Sequence, residues 1–182
     1  DATPPSSTFS TGDDFSFSPD GKEIAITATP VPVREESWST NHDIFTVNLG
    51  TGERKQITAN AAADVYPQYS PNGKYIAYRA QSRPGFEADR WQLMLYERAS
   101  GTTKSLTPKF DANVNKFTWA SDSKTLYTSA EEKANAPLWS IGIDGTVKKV
   151  YDNSNNAYVS ISSDGKTIIF AMGSNKRHLG VP

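Results

Sequence analysis

Apolar and polar positions alternate along this chain in short runs, and one recurring turn punctuates them. The turn reads SPDGK at 18–22, SPNGK at 70–74, ASDSK at 120–124 and SSDGK at 162–166. Before each turn stands a brief alternating run: FSFS, YPQYS, KFTWA and YVSIS. After each stands a more apolar one: EIAITA, YIAYRA, TLYTSA and TIIFAM. A period of two predicts strands, because successive strand side chains point to opposite faces. The turn residues fit a hairpin. Pro presets φ, Asp or Asn bonds its own backbone, and Gly accepts positive φ. No stretch carries a helical period of useful length, and the Ala-rich run at 58–65 reads as a connection.

A second hairpin follows the first. The segments DIFTVNLGTGERKQIT (43–58), WQLMLYERASGTTKSLT (91–107) and PLWSIGIDGTVKKVY (137–151) are each a strand, a Gly-containing turn and a shorter polar strand. Each unit therefore holds four strands in meander order. The first turns start at 18, 70, 120 and 162, which is 52, 50 and 42 residues apart. That spacing predicts propeller blades. Strands such as IAITA and LMLY are apolar on both faces, as stacked blades require and a two-sheet sandwich does not. Phe17, Tyr69 and Trp119, just before their turns, are expected to fill gaps between blades. The expected organisation is a linker or cut edge at 1–14, blades at 15–58, 59–107 and 108–152, and a partial blade at 153–182. The fold class is all-β, an incomplete β-propeller of about three and a half four-stranded meander blades. A closed propeller has roughly four to eight blades, so the chain is expected to be part of something longer. Its open edges are expected to make the isolated fragment self-associate.

Composition narrows the function. The net charge is −1 without a long run of one sign, which argues against a nucleic-acid surface. The short Lys176-Arg177-His178 run reads as a solvated tail. No apolar run approaches the roughly 18 residues of a membrane span, and the opening DATPPSSTFSTGDD lacks the segments of a signal peptide. With no cysteine there is no disulfide, thiolate catalysis or Cys-based zinc site. The Gly-x-Gly in LGTGE opens no helix and makes no phosphate cradle. Asp13, Asp14 and Asp20 lack calcium-loop spacing, and His42-Asp43 is a lone pair of residues. There is no G-x-S-x-G nucleophile elbow, and nothing in the pattern brings His42 or His178 beside a Ser and an acid. No catalytic residue, metal ligand or cofactor is assigned.

The turns SPDGK and SPNGK, with Ile-Ala close behind each, and the later YERASG and Leu-Thr resemble TolB-type propeller repeats over most of residues 15–171. The stretch RPGFEADRWQLMLYERASG (83–101) is more specific. Together with WASDSKTLYTSAEE (119–132) and PLWSI (137–141), it resembles the propeller of bacterial peptidases of the prolyl oligopeptidase family, in the dipeptidyl-peptidase and acylaminoacyl-peptidase branch. That resemblance implies a parent whose propeller precedes an α/β-hydrolase domain with a Ser, Asp and His triad. It implies cleavage of short peptides from the N-terminus, and a periplasmic or secreted location. The propeller segment would itself be non-catalytic, screening access and helping to select substrate. The TolB-type repeats alone allow another reading, a non-enzymatic propeller that binds protein partners.

In a four-stranded meander the loops between second and third strands share a face with the connections between blades. Two of these loops are long, TPVPVREESWSTNH (29–42) and QSRPGFEADR (81–90). Long loops on a rigid scaffold are where binding resides. Glu87 and Asp89 are candidates for a substrate's ammonium, and Arg83 or Arg90 for a carbonyl or carboxylate, through charge-assisted hydrogen bonds. Two alternatives stand beside this. Glu87, Asp89 and Arg90 pair with one another or cap the loop, where exposed pairs contribute about 0–1 kcal/mol; or they pack against a neighbouring domain. Glu35, Glu36 and Trp38 are the corresponding candidates in the first insert.

Overall fold

The recurring turn explains the strand pattern atom by atom. In the first turn the Ser18 hydroxyl donates to Asp20 Oδ1 at 2.6 Å and accepts the Glu23 N–H at 2.9 Å. Ser70 with Asn72, and Ser162 with Asp164, repeat the arrangement. Gly21, Gly73 and Gly165 take the left-handed position at φ +68°, +69° and +70°. In the third turn Ala120 supplies no hydroxyl, and Ser123 occupies the left-handed position at φ +56°.

The computed structural model describes residues 14–152, 154–162 and 164–173. The expected linker up to residue 13, Asp13, and the Lys176-Arg177-His178 run lie outside the described residues. The first sheet has strands β1 (Phe15–Phe17), β2 (Glu23–Ala28), β3 (Asp43–Asn48) and β4 (Arg54–Gln56). The second has β5 (Asp64–Tyr69), β6 (Tyr75–Ala80), β7 (Gln92–Glu97) and β8 (Thr102–Ser105). The third has β9 (Phe117–Trp119), β10 (Thr125–Ser129), β11 (Leu138–Gly142) and β12 (Val147–Tyr151). All three are antiparallel meanders with strands in chain order, and β13 (Asn155–Ile161) pairs with β14 (Ile168–Gly173) as a hairpin. Among the described residues one 3-10 stretch, Val33–Trp38, breaks the all-β pattern, and it lies within the first insert. No helix among these residues is long and apolar enough to cross a membrane.

The chain divides into two compact units, one ending at Ser105 and the other beginning at Leu106. In the first, Ala25 and Ile44 pack with Tyr69, Ile76, Tyr78 and Tyr96 between two sheets. Fully burying an Ile of this kind stabilises by about 1.5–3 kcal/mol. In the second unit Phe117, Leu126, Leu138 and Ile141 are buried. Tyr69 and Trp119 are each 8% exposed, as gap-filling residues should be, but Phe17 is 56% exposed. The register of β1 explains the difference. Ser16 faces the second sheet and accepts the Tyr69 N–H at 3.3 Å. A strand alternates its faces, so Phe15 and Phe17 lie on the opposite side. Both β5 and β13 carry a bulge, with Tyr66 at φ +60° and Tyr158 at φ +53°.

Candidate functional site

The second insert leaves β6 and is closed from inside by two polar side chains. Gln81 is buried, and its amide donates to the carbonyls of Glu87 at 3.0 Å and Asp89 at 2.9 Å. Asp89 is also buried, at 7% exposure. Its carboxylate accepts the Ser82 N–H at 2.7 Å, the Arg83 N–H at 2.8 Å and the Arg83 Nε–H at 2.8 Å. Burial opposes the charge, but these donors, with the Arg90 N–H, outweigh it and hold the Asp89 carboxyl down at about 2. Gly85 supplies the tight bend at φ +71°.

Both inserts leave the same end of their sheets, and a hydrogen bond joins them. The Gly85 N–H donates to Thr40 Oγ1 at 3.0 Å. Beneath that link, His42 bridges Ala63, and the Gln81 N–H donates to the Ala63 carbonyl at 2.8 Å. The rim carries an exposed Trp38 and Phe86, at 83% and 43% exposure. The Arg83 guanidinium lies 4.1 Å from the centre of the Phe86 ring. The order of the elements that meet here is set by the meander: β2 and β6 end at this face, and β3 and β7 begin at it.

Of the four residues singled out from the sequence, Arg83 and Asp89 are brought together as an ion pair inside the loop. The Asp89 carboxylate is thus engaged by donors of its own loop. Glu87 is exposed on the rim, and its backbone carbonyl is the atom engaged by Gln81. Arg90 is half-buried just before β7. Sequence reasoning missed Arg79. Its guanidinium stacks 4.5 Å from the centre of the ring of Trp91, the residue that follows the insert. Burial lowers the Arg79 pKa to about 10, while the nearby Tyr66 and Asp14 act in the opposite sense. The one signal was a base inside the otherwise apolar run YIAYRA. At the opposite end of the same two sheets lies a groove of about 600 Å³, lined in part by Glu23, Lys55, Lys74, Tyr96 and Arg98. Its Arg98 and Glu23 already pair with each other at 3.1 Å.

A chain of four-stranded antiparallel meanders with these turns is an incomplete β-propeller, and its likeness to solved structures agrees. It superposes on the putative TolB of Agrobacterium tumefaciens with a TM-score of 0.69 and 19% identity, covering 96% of this chain and 58% of that one. A Mycobacterium tuberculosis puromycin-hydrolyzing peptidase gives 0.66 and 16% identity, covering 87% and 27%. At those identities the likeness shows the fold alone. No family model matches the chain. Sequence likeness goes further: dipeptidyl-peptidase 5 of Porphyromonas gingivalis is 37% identical over 140 residues, 76% of this chain and 20% of that protein. Dipeptidyl-peptidase 5 of Arthroderma otae is 27% identical over 176 residues, 90% and 23%. The chain is a peptidase-associated propeller segment of the prolyl oligopeptidase type, with TolB-type repeats. It spans about a fifth of the length of the curated relatives it matches, 20% and 23% in these two.

Proposed function

We propose that this chain is the non-catalytic propeller part of a serine peptidase that hydrolyses short peptides, and that its insert-bearing face screens access and selects substrate. One observation carries the reading. The two inserts, joined at Thr40 and Gly85, present the exposed Glu87 in the same short loop as Arg83, whose side chain is 64% exposed. A carboxylate on such a rim suits the ammonium of a free peptide N-terminus, and the guanidinium edge left over by Asp89 suits a carbonyl or carboxylate. Asp89 and Arg90 support the loop that carries them. Hydrolysis itself belongs in this reading to an α/β-hydrolase domain of the parent. On the same resemblance we assign the parent to an extracytoplasmic location; recovery with cytoplasmic markers on fractionation overturns that part.

The test is kinetic, on the full parent chain. Glu87→Gln should raise KM about ten-fold for peptides with a free amino end, the loss of one charge-assisted bond, and leave N-blocked peptides unchanged. Equal effects on both substrates remove the role. A second reading is favoured by the exposed Trp38 and Phe86 on the same rim: a non-enzymatic propeller that binds protein partners through aromatic anchors. Fluorophosphonate labelling separates the two. Label on the parent and none on this chain supports the peptidase; no label on either leaves the binding propeller.

A further inference from the structure

Two carboxylates lie at the foot of the inserts, and both are fully buried. Asp43, 1% exposed, opens β3 where the first insert ends, and Asp64, 0% exposed, opens β5. The Asp64 N–H donates to the His42 carbonyl at 2.8 Å. The preceding residue, Ala63, receives the Gln81 N–H at 2.8 Å. Asp64 therefore sits between the last residue of one insert and the first residue of the other. Thr40, which holds Gly85, is two residues before His42.

The groups around this pair are neutral donors or further acids. Asp43 accepts the Thr58 hydroxyl and the Gln56 amide, each at 3.0 Å. Asp64 accepts the Asn60 amide through Oδ2. On β6, Tyr78 is buried, and that burial, reinforced by the charges of Asp64 and Asp43 and opposed by a side-chain hydrogen bond with Thr103, raises its pKa. Thr58 faces Asp64 as well as Asp43, Asn41 faces Asp43, and His42 is the titratable base beside Asp43. Among the described residues no lysine or arginine pairs with either acid. The second oxygen of Asp64, Oδ1, is buried without a hydrogen-bond partner. Two negative charges in such a place lack the pairing that buried charges require. A buried carboxyl without a counter-charge relieves this by keeping its proton, and a like charge nearby adds to the effect.

We propose that Asp64 keeps a proton at the foot of the inserts, and that loss of this proton loosens the joint holding the two inserts together. The electrostatics agree in direction. Burial, reinforced by the charge of Asp43 and opposed by the Thr58 and Asn60 donors, raises the Asp64 carboxyl to about 7. Burial also raises Asp43. A folded-state value above the unfolded 3.8 means that the closed joint binds the extra proton. Its stability is therefore greatest in acid, falls as the pH rises from about 4 to about 7, and levels off above. Between about pH 5 and pH 7 the opening equilibrium of the joint should rise roughly 50-fold, and less than about two-fold beyond. The device needs no substrate, so it stands apart from the peptide-binding reading.

The experiment is hydrogen exchange of residues 40–43 and 81–91 in the whole chain between about pH 5 and pH 8, corrected for intrinsic rates, in the native protein and in Asp64→Asn. Loss of protection with rising pH in the native protein, absent from Asp64→Asn, supports the proposal. The same pH response in both overturns it. A carbon-13 titration of the native protein's aspartate carboxyls decides the case even if Asp64→Asn does not fold. One carboxyl titrating near neutrality supports the proposal, and all of them titrating below about pH 5 overturns it. If about 1 mM calcium restores protection at pH 8, the site holds a cation rather than a proton, and the proposal falls.

Discussion

Removing the Asp89 carboxylate should release the second insert without unfolding the sheets. Besides the Arg90 N–H, this one buried group accepts two backbone amides at 2.7 and 2.8 Å and the Arg83 side chain at 2.8 Å. Its pKa is held at about 2, against 3.8 for a free aspartate, a shift worth about 2 kcal/mol to the closed loop. Hydrogen bonds to a charged acceptor give a similar scale, about 1.5–3 kcal/mol. Because the folded value is depressed, that stability is present above about pH 4 and is lost as the pH falls towards 2. Asp89→Ala removes the whole acceptor, and Asp89→Asn keeps one uncharged oxygen. The expected readout is faster amide exchange at Ser82 and Arg83, by about thirty-fold for Ala and less for Asn, at neutral pH. In the parent, Asp89→Asn should weaken free and blocked peptides alike, unlike Glu87→Gln. Unchanged protection of Ser82 and Arg83 in Asp89→Ala would refute the assignment of the carboxylate as the loop's clasp.

Two further outcomes follow from other parts of the chain. Arg98 donates to Glu23 at 3.1 Å and to the Gly73 carbonyl at 2.7 Å, and its guanidinium lies over the Tyr69 ring; Arg98→Ala strands these part-buried acceptors and should lower stability by about 2 kcal/mol in urea denaturation, whereas a loss below about 0.5 kcal/mol marks the pair as a solvent-screened surface contact. The outer edge of β14 carries no partner strand among the described residues, and Ile169 and Met172 are 56% and 59% exposed; this chain should self-associate by light scattering and Ile169→Lys should suppress it, because a charge on an open edge blocks pairing, while a monomeric native chain removes the expectation.

The parts of the fold that local chemistry decides were legible in the sequence, and the parts decided across sheets were not. Ser18, Asp20 and Gly21 form a turn among themselves, so the hairpins could be read from a few neighbouring letters. The strand order followed from the repeat. Phe17 was read by its likeness to Tyr69 and Trp119, yet which face of β1 meets another sheet is set by Ser16 and Tyr69, 53 residues apart. The bulges at Tyr66 and Tyr158 depend on cross-strand register and leave no clear mark in the residue pattern. At the site, loop length located the two inserts. It did not reveal that Asp89 is turned inward by Ser82 and Arg83 while Glu87 stays exposed, because both are acids of similar reach in one short loop. Asp64 was invisible for a related reason: nothing in its neighbouring letters marks an acid at the start of a strand as fully buried.

The two acids that hold the insert-bearing face act with opposite signs, and this gives the face a pH window of its own. Asp89 must be ionised to clasp the loop, so its contribution fades as the pH falls below about 4 towards the value of about 2. Asp64 holds the foot of both inserts while it keeps a proton, so its contribution fades as the pH climbs to about 7. Neither effect alone would give a maximum. Together they make the face most ordered in mildly acidic solution, with the acid limb belonging to the loop at 82–89 and the neutral limb to the joint around His42 and Asp64. The limbs are separable by mutation, since Asp89 contacts Ser82 and Arg83 while Asp64 contacts His42 and Asn60. Asp89→Asn should erase the acid limb and leave the neutral one, and Asp64→Asn should do the reverse. A single variant that flattened both limbs would mean that one cooperative opening, rather than two local clasps, governs the face.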